Sequence, residues 1–155
     1  MQIGIAKKNK EGQTVSGDSS IQIKLKDGKY LIALSDGMGS GPEARKSSQI
    51  AVKMLGRLLS NGFDKETSIE LINNTILSNP ESETYATLDT MILDLYAGNA
   101  EYIKNGAAPT FVKHKKDVDI ISSKQSLSRY APNLLYRQLL AIFCDFISLK
   151  FKLSR

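Results

Sequence analysis

The chain has 155 residues, of which 41% are hydrophobic and 24% charged, with 11 Gly, one Cys and no Trp. This length suits one domain with its own core, and the near-average composition excludes a disordered chain, a collagen-like repeat and a disulfide scaffold. Cys144 cannot form an internal disulfide, and the first residues do not have the pattern of a secretory signal, so the sequence predicts a cytoplasmic protein.

The net charge of +5 comes from the C-terminal part of the chain. Of the 21 basic and 16 acidic residues, 6 and 1 fall in residues 123–155, which leaves 15 of each in residues 1–122. No glycine follows Gly106. The break predicts a domain over 1–122 and a basic tail over 123–155.

The first regular element predicted is a β-hairpin. Apolar and polar residues alternate from Ile21 to Lys26, and Asp27-Gly28 then precedes an apolar run that ends at Leu34. If the turn has two residues, Ile21 faces Leu34, and Asp18 faces Gly37. In that register Asp18 and Asp36 project from opposite faces, so a bulge or strong twist near Gly17 would be needed to bring them together.

Two helices follow, and then the chain returns to strands. Ser40 or Gly41 can cap the first helix, which Pro42 and an apolar stripe support and Asn61-Gly62 ends. Asp64 can cap the second, which Asn79-Pro80 ends. The later strands are expected at residues 86–96, 101–104, 110–113 and 118–121, with a turn at Gly98-Asn99. Strands, two helices and an antiparallel meander indicate an α+β fold.

The residues with chemical potential are concentrated in GDSS and SDGMGSG. Asp36 ends an apolar strand, Asp18 begins its partner, and the carbonyl of Gly37 has no side chain beside it. Oxygen ligands of this kind suit Mg²⁺ or Mn²⁺, whereas zinc would favour His or Cys. The same residues are also typical of an ordinary turn that leads into a capped helix, and free amides at that helix start could bind a phosphate.

Several motifs in order resemble the stage II sporulation protein E family of PPM-type (PP2C-like) phosphatases. They are VSGDSS, YLIALSDGMGSGPEA, KMLGRLLSNGFD and SETYATLDTMILDLYAGNAEYIKNGAAPTFV, and together they cover residues 1 to about 122. The resemblance implies a metal-dependent protein serine/threonine phosphatase with an α-β-β-α sandwich, incomplete here at its C-terminus. It also implies two Mn²⁺ or Mg²⁺ ions between the sheets, which would activate water and neutralise phosphate oxygens.

By this resemblance, Asp36 would be the central metal ligand that bridges the two ions, Gly37 would ligate through its carbonyl, and Asp18 would hold metal-bound water. Asp36 and Asp18 are thus the predicted catalytic residues. Thr87-Leu88-Asp89 and Gly106-Ala107-Ala108-Pro109 would have structural roles and fix the strands beneath the site. The implied substrate is a phosphoserine regulatory protein, which in this family is an anti-anti-sigma factor.

The resembled family carries a second Asp-Gly motif on a later strand, whose Asp completes the metal pair. Here the only acid after Ser122 is Asp145, which Phe146 follows, and it is a weak candidate for that ligand. We therefore expect little or no turnover from this chain alone.

The tail after Ser122 does not resemble the family. Apolar residues from Leu135 to Leu149 repeat at spacings of 4 and 3, which is typical of an amphipathic helix. That helix could pack on its own sheet or lie on a membrane surface, or the tail could be an out-of-frame terminus. Its longest uncharged run, 138–144, is far shorter than the roughly 20 apolar residues of a membrane span.

Three classes of function remain open at this point. The first is the phosphatase, the second a catalytically incompetent module that binds a partner, and the third an adaptor that uses the basic tail. Nucleic acid is a poor ligand, because the basic run Lys113 to Lys116, with His114, has no aromatic platform around it.

Overall fold

The computed structural model describes residues 3–7, 9, 11–78, 85–113, 117–123, 136–137 and 142–143. The strands are β1 (Asp18–Lys24), β2 (Lys29–Asp36), β3 (Leu88–Asp94), β4 (Asn99–Asn105), β5 (Thr110–Lys113), β6 (Val118–Ile121), β7 (Tyr136–Arg137) and β8 (Ile142–Phe143). The helices are α1 (Gly41–Ser60) and α2 (Lys65–Leu77), both between β2 and β3. The predicted order of elements is confirmed from β1 to β6.

The strands form two antiparallel sheets. The larger has the order β1-β2-β3-β4-β7, and the smaller has the order β6-β5-β8. Side chains of α1 and α2 pack on one face of the larger sheet, and those of β5 and β6 pack on its other face. The described residues thus form helix, sheet and sheet layers, so the predicted α+β sandwich is confirmed.

Each face of the larger sheet has its own hydrophobic core. The core beneath the helices contains Leu31, Ala33, Ala51, Val52, Leu55, Ile69, Ile72, Leu88 and Ile103. The core between the sheets contains Ile32, Met91, Leu93, Ala100, Tyr102 and Val112. Strand β2 supplies both cores through alternate residues, which explains its unbroken apolar run.

The predicted register of the first hairpin is wrong by one residue. Ile21 lies opposite Ala33, and Asp18 lies opposite Asp36 rather than Gly37. The turn contains an extra residue: the N–H of Lys29 donates to the carbonyl of Lys26, and the N–H of Leu25 donates to the carbonyl of Lys29. Leu25 and Lys26 therefore both face Lys29, which is a β-bulge beside the turn.

The helix boundaries follow the predicted signals. Ser40 is the N-cap of α1 with Pro42 in the first turn, although no side chain caps this end through a hydrogen bond. At α2, the Asp64 carboxylate accepts a hydrogen bond from the N–H of Thr67 at 2.8 Å, and this bond holds the pKa of Asp64 below its usual value. Because α1 has no such side-chain cap, its packing on the core beneath it is what mainly stabilises this helix.

Only four residues of the tail after Ser123 are described, and they are extended. Tyr136–Arg137 pairs with β4, and Ile142–Phe143 pairs with β5. At these positions the helix prediction is wrong. The other residues of the predicted helix, Asp145 among them, lie outside the described part of the chain, as does His114.

Candidate functional site

The hairpin register brings Asp18 and Asp36 together. Directly opposite residues of an antiparallel pair project on the same face, and here that face is the one toward the smaller sheet. Both residues line a cavity at this end of the sandwich, called the inter-sheet cavity below. Its lining includes Lys7, Asp18, Asp36, Thr87, Asp89 and Ala108.

Local hydrogen bonds fix the start of β1 around Asp18. The hydroxyl of Ser16 donates to Oδ2 of Asp18 at 2.8 Å and accepts from the backbone N–H of Asp18 at 3.2 Å. The Ser16 side chain therefore orients the Asp18 carboxylate and stabilises the turn that precedes β1.

Thr87 fixes the end of β2 around Asp36. The backbone N–H of Asp36 donates to Oγ1 of Thr87 at 2.9 Å, and the N–H of Thr87 donates to the carbonyl of Asp36 at 2.8 Å. The Ser35 hydroxyl also donates to the Thr87 carbonyl, at 2.5 Å. The structural role predicted for this motif is thus visible at Thr87.

Gly37 has a packing reason for lacking a side chain. A Cβ at this position would lie 1.8 Å from the carbonyl oxygen of Ala44 in α1. Gly37 does not line the inter-sheet cavity, and its own carbonyl oxygen lies beside Gly17. The close approach of helix and strand therefore explains this glycine without a ligand.

The third carboxylate of the cavity belongs to Asp89 and is held in a buried ion pair. Nζ of Lys104 lies 2.5 Å from Oδ2 of Asp89 and 2.6 Å from the hydroxyl of Thr110, which itself donates to Oδ2 of Asp89 at 3.2 Å. Thr110 belongs to β5, so this network connects the two sheets. Burial lowers the pKa of Lys104, and Asp89 opposes that effect.

Sequence reasoning missed this ion pair, although the pattern contains a signal for it. Asp89 and Lys104 are directly opposite each other on β3 and β4. Each also lies two positions along its strand from a residue of the core between the sheets, Met91 for Asp89 and Tyr102 for Lys104, and so projects on the same face. Opposite charges at two facing inward positions indicate a buried pair.

Lys7 was also missed as a cavity residue. Its ammonium donates to the backbone carbonyl of Asp18. Burial and the nearby charge of Arg45 lower the pKa of Lys7, whereas Asp18 acts in the opposite direction. The cavity is therefore lined by a lysine ammonium group beside Asp18.

The donor set of the cavity fits a hard divalent cation in part. Asp18 and Asp36 offer carboxylate oxygens, which Mg²⁺ and Mn²⁺ accept together with water and phosphate oxygens. Among the described residues, no group of three or more His, Cys, Asp or Glu side chains could hold a metal ion. Asp89 already pairs with Lys104, so it does not add a third metal ligand to Asp18 and Asp36.

Within the described ranges, no helix is long and apolar enough to cross a membrane.

The fold matches solved PP2C phosphatase domains. The structure of the PP2C phosphatase domain with a fragment of the regulatory domain of SpoIIE from Bacillus subtilis has 33% sequence identity and a TM-score of 0.75. The match covers 89% of this chain and 41% of that chain. RsbX in complex with magnesium, at 21% identity and a TM-score of 0.63, shares the fold and covers 88% of this chain and 71% of its own.

The sequence comparison identifies the family. The sequence model of the Stage II sporulation protein E (SpoIIE) family matches residues 26–128, and the chain belongs to this family. It is 37% identical to Stage II sporulation protein E of Priestia megaterium over 71% of its length and to that of Bacillus subtilis (strain 168) over 74%. The matches span only 19% and 14% of those two relatives.

Proposed function

We propose that this chain is part of a metal-dependent protein serine/threonine phosphatase of the SpoIIE type. The proposed substrate is a phosphoserine regulatory protein such as an anti-anti-sigma factor, and the proposed location is the cytoplasm. The observation that carries the proposal is the pairing of Asp18 with Asp36 at the inter-sheet cavity of a PP2C-like fold.

In this proposal Asp18 and Asp36 hold Mn²⁺ or Mg²⁺ through their carboxylates. Two bound ions would supply an activated water and would neutralise the oxygens of the phosphoryl group. Ser16 and Thr87 keep the two strand ends in place by the hydrogen bonds described above. The ligand role of the Gly37 carbonyl stays a prediction.

Lys104 has a separate part in the proposed site. Because Lys104 pairs with Asp89, the cavity carboxylates outside this buried ion pair are those of Asp18 and Asp36. A divalent cation is therefore drawn to the mouth of the cavity rather than to its buried wall.

A second candidate is a module that binds metal and partner without turnover. The carboxylates of Asp18 and Asp36 provide fewer ligands than a pair of bridged ions needs, and the described residues contain no group of three or more His, Cys, Asp or Glu side chains that could hold a metal ion. Under this alternative, Asp18 and Asp36 still bind a cation, but phosphate is not released.

Single-turnover phosphate release separates these candidates. The full chain is mixed with a phosphoserine protein of the anti-anti-sigma type and Mn²⁺, beside Asp36→Asn and the remote charge control Asp27→Asn. A phosphatase gives slow release that Asp36→Asn abolishes and Asp27→Asn preserves. Mn²⁺-dependent binding of the phosphoprotein without release supports the second candidate. Neither binding nor release would refute both.

A further inference from the structure

The pairing between β2 and β3 continues beyond the last residue of β2. After Asp36 with Thr87, the same antiparallel register pairs Gly37 with Ala86 and Met38 with Tyr85. The N–H of Met38 donates to the carbonyl of Tyr85 at 2.7 Å. Gly39, at a φ of 93°, then turns the chain toward α1, so Met38 and Tyr85 end this ladder among the described residues. These two residues are called the rim pair below.

The rim pair lies on the same face of the sheet as the candidate site. Side chains alternate between the two faces along a strand, so Met38 projects on the face of Asp36 and Tyr85 on the face of Thr87. Asp36 and Thr87 both line the inter-sheet cavity. At a rise of about 3.3 Å per residue, the rim pair lies about 7 Å beyond them along the strands.

The rim pair presents apolar surface to solvent. Met38 is 55% exposed and Tyr85 is 44% exposed. The methionine side chain adapts to the shape of a contact, and the tyrosine ring offers a stiff apolar face. Because their backbones are already hydrogen-bonded to each other, a partner that covers them orders little additional main chain. The rim pair therefore suits contact with an apolar side chain.

The spacing between the rim pair and Asp36 indicates which partner supplies that side chain. A protein phosphoserine that enters the cavity carries its neighbouring residues across the rim. In an extended segment, side chains two positions apart project on the same side, about 7 Å from each other. A phosphoserine held at Asp18 and Asp36, in a segment that runs along β2, thus brings the side chain two positions away onto Met38 and Tyr85.

We propose that the rim pair selects phosphoserine segments with an apolar residue two positions from the phosphoserine. The inference rests on the proposed function, because a metal at Asp18 and Asp36 must first hold the phosphoserine. It assigns a specificity role to Met38 and Tyr85, neither of which binds the metal in the proposed site.

Binding of two phosphoserine peptides to the full chain with excess Mn²⁺ tests the inference. The peptides differ only at the two positions that lie two residues before and after the phosphoserine, where one has leucine and the other serine. We expect the wild type to bind the leucine peptide about five- to tenfold more tightly, the scale of burying part of a leucine side chain. Met38→Gln should remove most of this preference and leave the affinity for the serine peptide unchanged, as measured by fluorescence anisotropy.

Matched variants and peptides separate the rim pair from general apolar binding. Met38→Leu should keep the leucine preference. Leu77→Gln makes the corresponding polar change at an apolar residue of α2 that is 60% exposed, and it should also keep the preference. The unphosphorylated leucine peptide should bind more weakly than the phosphorylated one, because the rim pair acts beside the phosphate.

The outcomes distinguish this inference from the proposed function. Equal Mn²⁺-dependent binding of both phosphopeptides by the wild type, or an undiminished leucine preference in Met38→Gln, would overturn the inference and leave the proposed function intact. A dimer in sedimentation that Met38→Gln dissociates would assign the rim pair to a second copy of the chain, which also overturns it. A wild-type chain that binds neither phosphopeptide in a Mn²⁺-dependent manner would refute both.

Discussion

The two faces of the larger sheet differ in what they bury. Beneath the helices, Leu31 and Ala33 meet Val52 and Leu55 in an apolar layer. Toward the smaller sheet the layer is apolar around Met91, but at the end where β1 begins it contains acidic and basic side chains. The helix-facing layer therefore mainly stabilises the fold, whereas the opposite face buries charged side chains at the cavity, and burying charge costs stability.

The buried ion pair provides the largest expected difference between the faces. Lys104→Met leaves the Asp89 carboxylate without its cation in a buried site, which we expect to cost about 3–5 kcal/mol of unfolding free energy. The double variant Lys104→Met/Asp89→Leu removes both charges and should recover much of that loss. Chemical denaturation of the single and double variants measures both values.

The single variant Asp89→Leu completes this cycle, because it leaves Lys104 buried without its carboxylate. If the effects of Lys104→Met and Asp89→Leu simply add, the ion pair does not stabilise the junction between the sheets.

The helix-facing layer gives a smaller effect that is confined to stability. Leu55→Ala removes a fully buried side chain, and we expect a loss of about 3 kcal/mol. Leu77→Ala, at the exposed end of α2, should change stability by less than about 0.5 kcal/mol. Mn²⁺ affinity should stay unchanged in both folded variants. A selective loss of Mn²⁺ binding in Leu55→Ala would break the division between the faces.

The sequence predicted the elements better than the register between them. Helix ends and turns depend on local residues, so the sequence predicts them well, as at the Asp64 cap of α2. The hairpin register was missed because β2 is apolar on both faces, so Ile21 and Ile23 have apolar partners in either register. A single extra residue at the turn decided the register, and alternation alone carries no information about it.

The candidate site was predicted in part for the same reason. Asp18 and Asp36 stand in recognisable motifs, and the bulge beside the turn makes them face the same cavity. Lys7 and the pair Asp89–Lys104 depend on contacts between segments distant in sequence, which short motifs do not encode. The ligand role of Gly37 stays a prediction, and the close backbone approach of Gly37 to Ala44 by itself requires glycine.

Calorimetric titration of Mn²⁺ into the wild-type chain, Asp36→Asn and Asp27→Asn tests the central claim most directly. Asp27 has φ of 54° in the hairpin turn, a conformation that asparagine tolerates, so this control removes the same charge away from the cavity. We predict weak binding in the wild type, equal binding in Asp27→Asn and none in Asp36→Asn, with all three folded by circular dichroism. Equal Mn²⁺ affinity in Asp36→Asn and the wild type would contradict the account, because it would remove Asp36 from the site.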